Sequence, residues 1–343
     1  IIWSLLITGL TTSTILTMAS NHWLLAWISL ELNTLSILPI MMKHHHPRAT
    51  EATTKYFIIQ AAAAANILLA STLNAWQTGE WSILHTNSSM TTTLATIAIM
   101  MKLGLAPAHL WYPEVMQGTT LYTAMLISTW QKIAPLTLLY LMSTNLSPTI
   151  LMLIGLTSTA AGGWTGLNQT QTRKIMAFSS IAHMGWLLTA LATNQSLATL
   201  TMTLYLTTTT AIFLTLATTA TKTISDINTT WPASPIMMTA TLLTLMSLAG
   251  LPPLTGFMPK WLIIKELTAT NLLPLGMALL LTSLPSLYFY TRMAYMTILT
   301  TPPTTSAGKM KWRLNTNFNP STTLTIMLAT MLLPLTTTLY NTT

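Results

Sequence analysis

Lys102-Leu103-Gly104-Leu105-Ala106-Pro107 sits inside one apolar run, and Gly250-Leu251-Pro252-Pro253, followed by Gly256, sits inside another. Glycine and proline at these positions break a helix in the middle of a stretch that is otherwise apolar enough to span a bilayer. Broken helices at membrane depth are tolerated where they line an ion or water path, because they expose carbonyls and dipole ends there. Counting apolar runs outward from the two breaks puts each in the fourth span of a group of five. Five is odd, so the second group enters the membrane with opposite orientation. The sequence therefore predicts an all-α polytopic membrane protein of about eleven transmembrane helices. Two inverted five-helix repeats, residues 1–142 and 148–298, carry breaks at Gly104, Pro107, Gly250, Pro252 and Pro253. A loop over 299–320 and a C-terminal helix over 321–343 stand outside the repeat.

Composition agrees with that reading. Of 343 residues, 51% are hydrophobic and 6% charged, against roughly 25% charged in soluble domains, which excludes a soluble enzyme. The expected spans are residues 1–18, 23–42, 53–73, 90–110, 119–142, 148–167, 175–193, 197–219, 236–267, 272–298 and 322–340. Loops of even ordinal number, with the span edges beside them, hold Lys43, Arg48, Lys55, Arg173, Lys174, Lys222, Lys309, Lys311 and Arg313, while odd loops hold no Lys or Arg. Insertion bias puts basic loops on the side of synthesis, and one span more or fewer would scatter them over both faces. The net charge of +8 is thus a membrane-topology signal with no call for nucleic acid. The start at Ile1 points to an N-terminus that is trimmed or incomplete, and residues 1–18, with no charged leading region and another apolar span directly after, do not read as a cleavable signal.

Four charges fall at membrane depth: Glu31 in the second span, Lys102 in the fourth, Lys132 in the fifth and Lys260 just past the second break. A charge at the bilayer centre costs about 2.5 to 3.5 kcal/mol on insertion scales, so such groups pair, hydrate or neutralise. One glutamate can pair with one lysine and leaves two lysines unexplained. A proton path accounts for all four, because desolvation and a movable carboxylate act in opposite senses on a buried lysine's hold on its proton. His183, in Ser179-Ser180-Ile181-Ala182-His183-Met184-Gly185, holds the place in the second half that Glu31 holds in the first, and can pass a proton near neutral pH.

The other signals read as structure. His109 and Glu114 beside Trp111 and Tyr112 suggest an interfacial belt, and Lys265 with Glu266 a span end. Three adjacent histidines, His44 to His46, cannot converge on one ion and belong to a loop. Threonine, about a fifth of the chain, substitutes for aliphatic residues by bonding back to its own helix. Gly162, Gly163 and Gly166 indicate close helix packing. The absence of cysteine excludes disulfides and thiolate-held clusters in this chain. No nucleotide-binding glycine motif or serine nucleophile elbow is present.

Longer runs carry a specific resemblance. They are Asn21-His22-Trp23 through Glu31-Leu32-Asn33, His45-His46-Pro47-Arg48-Ala49, Lys102 through Pro107, Gly163-Trp164 through Arg173-Lys174, and Ser247 through Lys260-Trp261. Over essentially its whole length the chain resembles the subunit 2 family of NADH dehydrogenase, the mitochondrially encoded antiporter-like subunits of respiratory complex I, in vertebrate form. The resemblance implies a place in the inner mitochondrial membrane with basic loops toward the matrix. It also implies proton translocation coupled to electron transfer from NADH to ubiquinone, along a charged axis at Glu31, Lys102, Lys132 and Lys260 with His183 nearby. By the same resemblance, NADH, FMN, iron–sulfur clusters and ubiquinone are bound by other subunits and none by this chain. The partners implied are neighbouring antiporter-like and accessory subunits and membrane lipids.

Overall fold

The computed structural model describes residues 2–343 except 44–45, 87, 231–233, 299–319, 337, 339 and 341–343. Among the described residues every regular element is a helix, apart from two isolated β-bridges. The chain divides into two compact units, Ile1–Ile154 and Gly155–Thr343.

The first unit holds α1 (Ile2–Met18), α2 (Trp23–Met41), α3 (Pro47–Thr78), α4 (Ser89–Leu103), α5 (Trp111–Gly118), α6 (Leu121–Ser128), α7 (Trp130–Met142) and the start of α8 (Pro148–Gly166). α3 begins where His46 caps it, its ring accepting from the Arg48 N–H, with Pro47 in the first turn where no N–H is needed. His46 is thus an N-cap, while His44 and His45 lie outside the described residues. α3 packs against α2, α4 and α5, and α7 against α1, α4 and α6.

The second unit continues α8 and adds α9 (Thr172–Thr193), α10 (Gln195–Thr219), α11 (Ile224–Thr229), α12 (Pro235–Ala249), α13 (Phe257–Ala269), α14 (Leu273–Ile298) and α15 (Pro320–Met331). α9 is its buried centre, flanked by α10, α13 and α14. The α8 glycines explain the close fit: a Cβ on Gly162 would meet Phe178 O at 2.7 Å and Ala182 N at 2.8 Å. On the next face of α8, a Cβ on Gly163 would meet Thr282 O of α14 at 2.9 Å. The expectation of close packing at these glycines therefore holds, with backbone against backbone.

Five described helices are each long and apolar enough to cross a membrane alone: α2, α3, α9, α10 and α14. Three segments consist of two helices each, α4 with α5, α6 with α7, and α12 with α13, the second and third within single expected spans and the first running past the expected end at 110. The first and third divide at the anticipated glycines. The second corrects the continuous span expected over 119–142, because the helix stops at Ser128 and restarts at Trp130, with Thr129 at φ −111° and ψ −70°. Pro135, the residue that resembles a breaker, lies inside α7. A further helix, α5, follows the span expected over 90–110 and carries the chain on to Gly118.

Both anticipated breaks close alike. Gly104 (φ 71°) and Gly250 (φ 78°) take the left-handed conformation, and each N–H returns to carbonyls of the preceding turn, Met100 and Met101 or Met246 and Ser247. Leu105 N–H then donates to Met100 O at 3.1 Å and Leu251 N–H to Met246 O at 3.3 Å, the paired bonds that end a helix at a left-handed glycine. Pro107 and Pro253 follow in cis linkages, the latter after Pro252.

Threonine behaves as expected along the helices. In the run 207–210 each hydroxyl donates to a carbonyl three or four residues back, at 2.6 to 3.0 Å.

Candidate functional site

In the first unit, Lys102 ends α4 just before Gly104, and Lys132 lies in the first turn of α7 just after the break at Thr129. Two helix breaks therefore deliver two lysines to one place. Lys102 is 6% exposed and Lys132 3%, and both line a cavity of about 20 Å³ with Asn33, Tyr56, Gln60, Tyr112 and Gln131. A polar void of that size has room for about one water.

The walls of the cavity are tied together. Gln60 Nε2 donates to Lys102 O at 3.2 Å, satisfying a carbonyl left open at the end of α4. Tyr56 OH donates to Gln131 Oε1 at 3.4 Å, and Gln131 Nε2 to Asn33 Oδ1 at 3.2 Å. The Lys132 ammonium lies 5.0 Å from the centroid of the Tyr112 ring, within cation–π range. Lys102 Nζ has no hydrogen-bond partner among the described residues.

Glu31 stands apart from the cavity lining. It is half-buried, its Oε2 accepts from the Thr34 hydroxyl at 3.1 Å, and it acts on Lys102 and Tyr56 through space. Lys55 pairs with Glu51 at 2.7 Å and with Glu114 at 2.8 Å, and no ion pair within 4.0 Å is seen for Glu31 among the described residues. Glu31 is therefore not locked in a direct pair with a lysine. The interfacial belt is also corrected: Trp111 is 7% exposed and Tyr112 2%. They form the inner face of α5, and only Glu114 looks outward, to Lys55.

In the second unit, Lys260 and His183 share two cavities, of about 30 Å³ and about 10 Å³. Lys260 reaches back from α13 across the break, and its ammonium donates to Ala249 O at 2.9 Å. An open helix-end carbonyl is thus taken by an amide in the first unit and by an ammonium in the second. Gly256 lets the turn close, since a Cβ there would overlap Ser247 O. His183 Nε2 is 3.3 Å from Tyr290 OH and its ring is 5.9 Å from that of Tyr205.

Residues 20–286 match the family described as NADH:quinone oxidoreductase/Mrp antiporter, TM, and residues 287–340 match the NADH dehydrogenase subunit 2 C-terminus. NADH-ubiquinone oxidoreductase chain 2 of Gallus gallus is 49% identical over 322 residues, covering 94% of this chain and 93% of its own. The chain belongs to that family. The chain 2 proteins of Carassius auratus and Xenopus laevis are 50% and 49% identical, each covering 91% of this chain and 90% and 91% of their own. The antiporter-like fold extends further. A chain of respiratory complex I from Thermus thermophilus superposes with a TM-score of 0.83 at 24% identity, covering 97% of this chain and 79% of that one. A chain of the Mrp complex from Dietzia sp. gives 0.81 at 15% identity, covering 98% and 76%.

The geometry brings further residues to the two lysine cavities, Asn33, Tyr56, Gln60 and Gln131 in one unit with Tyr112, which the sequence reads as interfacial, and Tyr205 and Tyr290 in the other. None carries a formal charge, so the cost that singles out an intramembrane lysine does not single them out. Arg292, also passed over, donates from Nη1 to Leu167 O at 3.1 Å, covering a carbonyl at the end of α8.

Proposed function

We propose that protons cross this chain by way of Lys102 and Lys132 in the first unit and His183 and Lys260 in the second, with Glu31 biasing the first pair. The chain is a membrane subunit of NADH:ubiquinone oxidoreductase of the antiporter-like, proton-translocating kind. The observation that carries the proposed path is the delivery of two buried lysines by two separate helix breaks to one water-sized polar cavity. A structural ion pair needs an acid at the lysines, and Glu31 makes no direct pair with either.

The chemistry follows from the site. A lysine out of bulk water changes protonation when a nearby charge moves. Glu31 is free to supply that movement, because its described contact is one threonine hydroxyl. A proton held on one lysine then reaches the other through water in the shared cavity. No electron passes through the chain: in this reading NADH, FMN, iron–sulfur clusters and ubiquinone are held by other subunits.

The domain reading is part of the proposal: 1–142 and 148–298 act as inverted five-helix repeats, followed by the matrix-side segment 299–320 and a last span that opens with α15, which ends at Met331 short of the single helix expected over 321–343. Supporting it, the loop before α2 bridges the loop before α4 at His22 and Ser82, and the loop before α9 bridges the segment before α11 at Gln171 and Thr223. These are corresponding loops of the two halves, odd-numbered in one and even-numbered in the other. Most of 299–320, with Lys309, Lys311 and Arg313, lies outside the described residues. The proposed setting is the inner mitochondrial membrane with basic loops toward the matrix, among neighbouring antiporter-like and accessory subunits and lipids.

Lys132→Met in the assembled complex tests the path. The expected result is a fall in NADH:ubiquinone turnover coupled to pumping, with normal assembly. An unchanged rate and an unchanged proton-to-electron ratio would remove Lys132 from it.

A further inference from the structure

We infer that Tyr290 carries protons between the basic-loop end of the second unit and the His183–Lys260 site, an extension that rests on the proton-path reading above. Tyr290 lies on α14, is 1% exposed, and presents its hydroxyl to His183 Nε2 at 3.3 Å. Tyr290, His183 and Lys260 together line the cavity of about 10 Å³, with Thr159, Ser283 and Ser286 supplying hydroxyls around it. The Tyr290 hydroxyl also comes within reach of the Ser179 side chain, whose own hydroxyl proton goes to Met176 O at 2.8 Å.

Direction comes from α9. Ser179 lies one turn before His183, toward the N-terminus of the helix, where Arg173 and Lys174 stand. From Thr172 to His183 is about 16 Å along the axis at 1.5 Å per residue, roughly half the hydrocarbon thickness. Buried phenols and imidazoles normally find partners, so packing alone explains one bond here. It does not explain a phenol whose hydroxyl meets both a histidine and a serine one turn nearer the basic end, at the edge of a cavity that also reaches a lysine.

The step balances without any group beyond water. Tyr290 gives its phenolic proton to Nε2 of neutral His183 and accepts one at the same oxygen from a hydrated proton that arrives by way of Ser179, which leaves neutral water behind. The phenol is regenerated and His183 becomes imidazolium. His183 then gives up a proton through water in the cavity of about 30 Å³ to the neutral Lys260 amine, and one proton has moved inward.

The test is Tyr290→Phe in the intact complex, which keeps the ring against Phe289 and removes only the hydroxyl. Turnover per assembled complex is expected to fall by about 100-fold for an obligatory carrier, the low end for a positioned proton-transfer group. KM for ubiquinone should hold, and the solvent deuterium isotope effect should rise. Normalising to assembled complex keeps the result readable if abundance falls. Unchanged turnover and isotope effect in Tyr290→Phe would overturn the inference, and so would a loss of assembly with normal turnover in the remainder. Lys260→Met, measured alongside, separates the two layers. If it impairs pumping while Tyr290→Phe does not, the path stands and the tyrosine leaves it. If neither has an effect, the path through this unit fails as well.

Discussion

Replacing Lys102 by methionine should leave the complex at least as well assembled as before while depressing its coupled turnover. Lys102 is 6% exposed and its ammonium has no described hydrogen-bond partner, so only the through-space attraction of Glu31 offsets the loss of water around it. The insertion cost of such a charge is about 2.5 to 3.5 kcal/mol, and methionine keeps nearly the same chain length without it. The contact that does hold this residue, Gln60 Nε2 on its backbone carbonyl, survives the exchange. Glu31 keeps its bond from Thr34. Lys260→Met should behave oppositely in stability, because it strips the donor from Ala249 O, and an orphaned buried carbonyl costs about 1 to 3 kcal/mol. Native-gel abundance per unit of membrane reads assembly. NADH oxidation and pH-dye quenching on the same vesicles read the proton-to-electron ratio. A Lys102→Met complex that assembles poorly, or that assembles well and pumps normally, would refute the reasoning.

Gly250→Ala puts a side chain at φ 78° with its Cβ 3.0 Å from Lys260 Nζ; the backbone penalty is about 1 to 2 kcal/mol, and both thermal stability and turnover of the complex should fall. Gly79→Ala, at φ 75° with nothing within 4 Å, should show a similar stability loss in thermal melts and leave turnover intact. Gly162→Ala presses on the Phe178 and Ala182 backbone, an overpacking cost of about 1 to 3 kcal/mol that melts of the purified complex should reveal. The remaining expectation concerns pH. Partial burial pushes the Asp226 carboxyl up, but hydrogen bonds from Thr223, backbone and side chain, and from the Lys222 N–H hold it below its ordinary value of 3.8. A depressed native value means that the cap on α11 is fully present above the unfolded value of about 3.9 and is lost as pH falls through the native one. Amide exchange at Lys222 and Thr223, corrected for its intrinsic pH dependence, should lose protection in that window, and Asp226→Asn should abolish the pH dependence.

Much of this was legible before any coordinates, for reasons that differ from residue to residue. Gly104 and Gly250 are readable because only a residue without Cβ takes a left-handed helix end cheaply. Lys102, Lys132 and Lys260 are readable because charge is scarce in an apolar chain. The break at Thr129 was not, since Ser128-Thr129-Trp130 contains neither glycine nor proline, and Pro135 nearby draws attention to the wrong place. Trp111 and Tyr112 were misjudged because aromatics next to His109 and Glu114 have the composition of a membrane interface. What turns them inward is the return of the chain as α5, anchored to α3 by Lys55 and Glu114 and by the close approach of Gly118 to Arg48 O. Glu31 was legible as a buried charge, but its distance from the cavity depends on the rotation of α2, which periodicity alone leaves loose. Lys102 approaches its break from the helix before it and Lys260 from the helix after it, so the two halves are alike in plan and unlike in which side supplies the charge.

The threonines bear on how such a chain can change over generations. Even at exposed positions the hydroxyl is used within its own helix, as at Thr72 and Thr239, which donate to Leu69 and Ile236 carbonyls. To surrounding lipid such a residue presents chiefly its methyl group, and exchange with alanine or isoleucine alters little that the bilayer can sense. The outer coat therefore tolerates exchange among threonine, alanine and isoleucine, whereas Gly104, Gly162 and Gly250 are held to glycine by backbone angle or close approach.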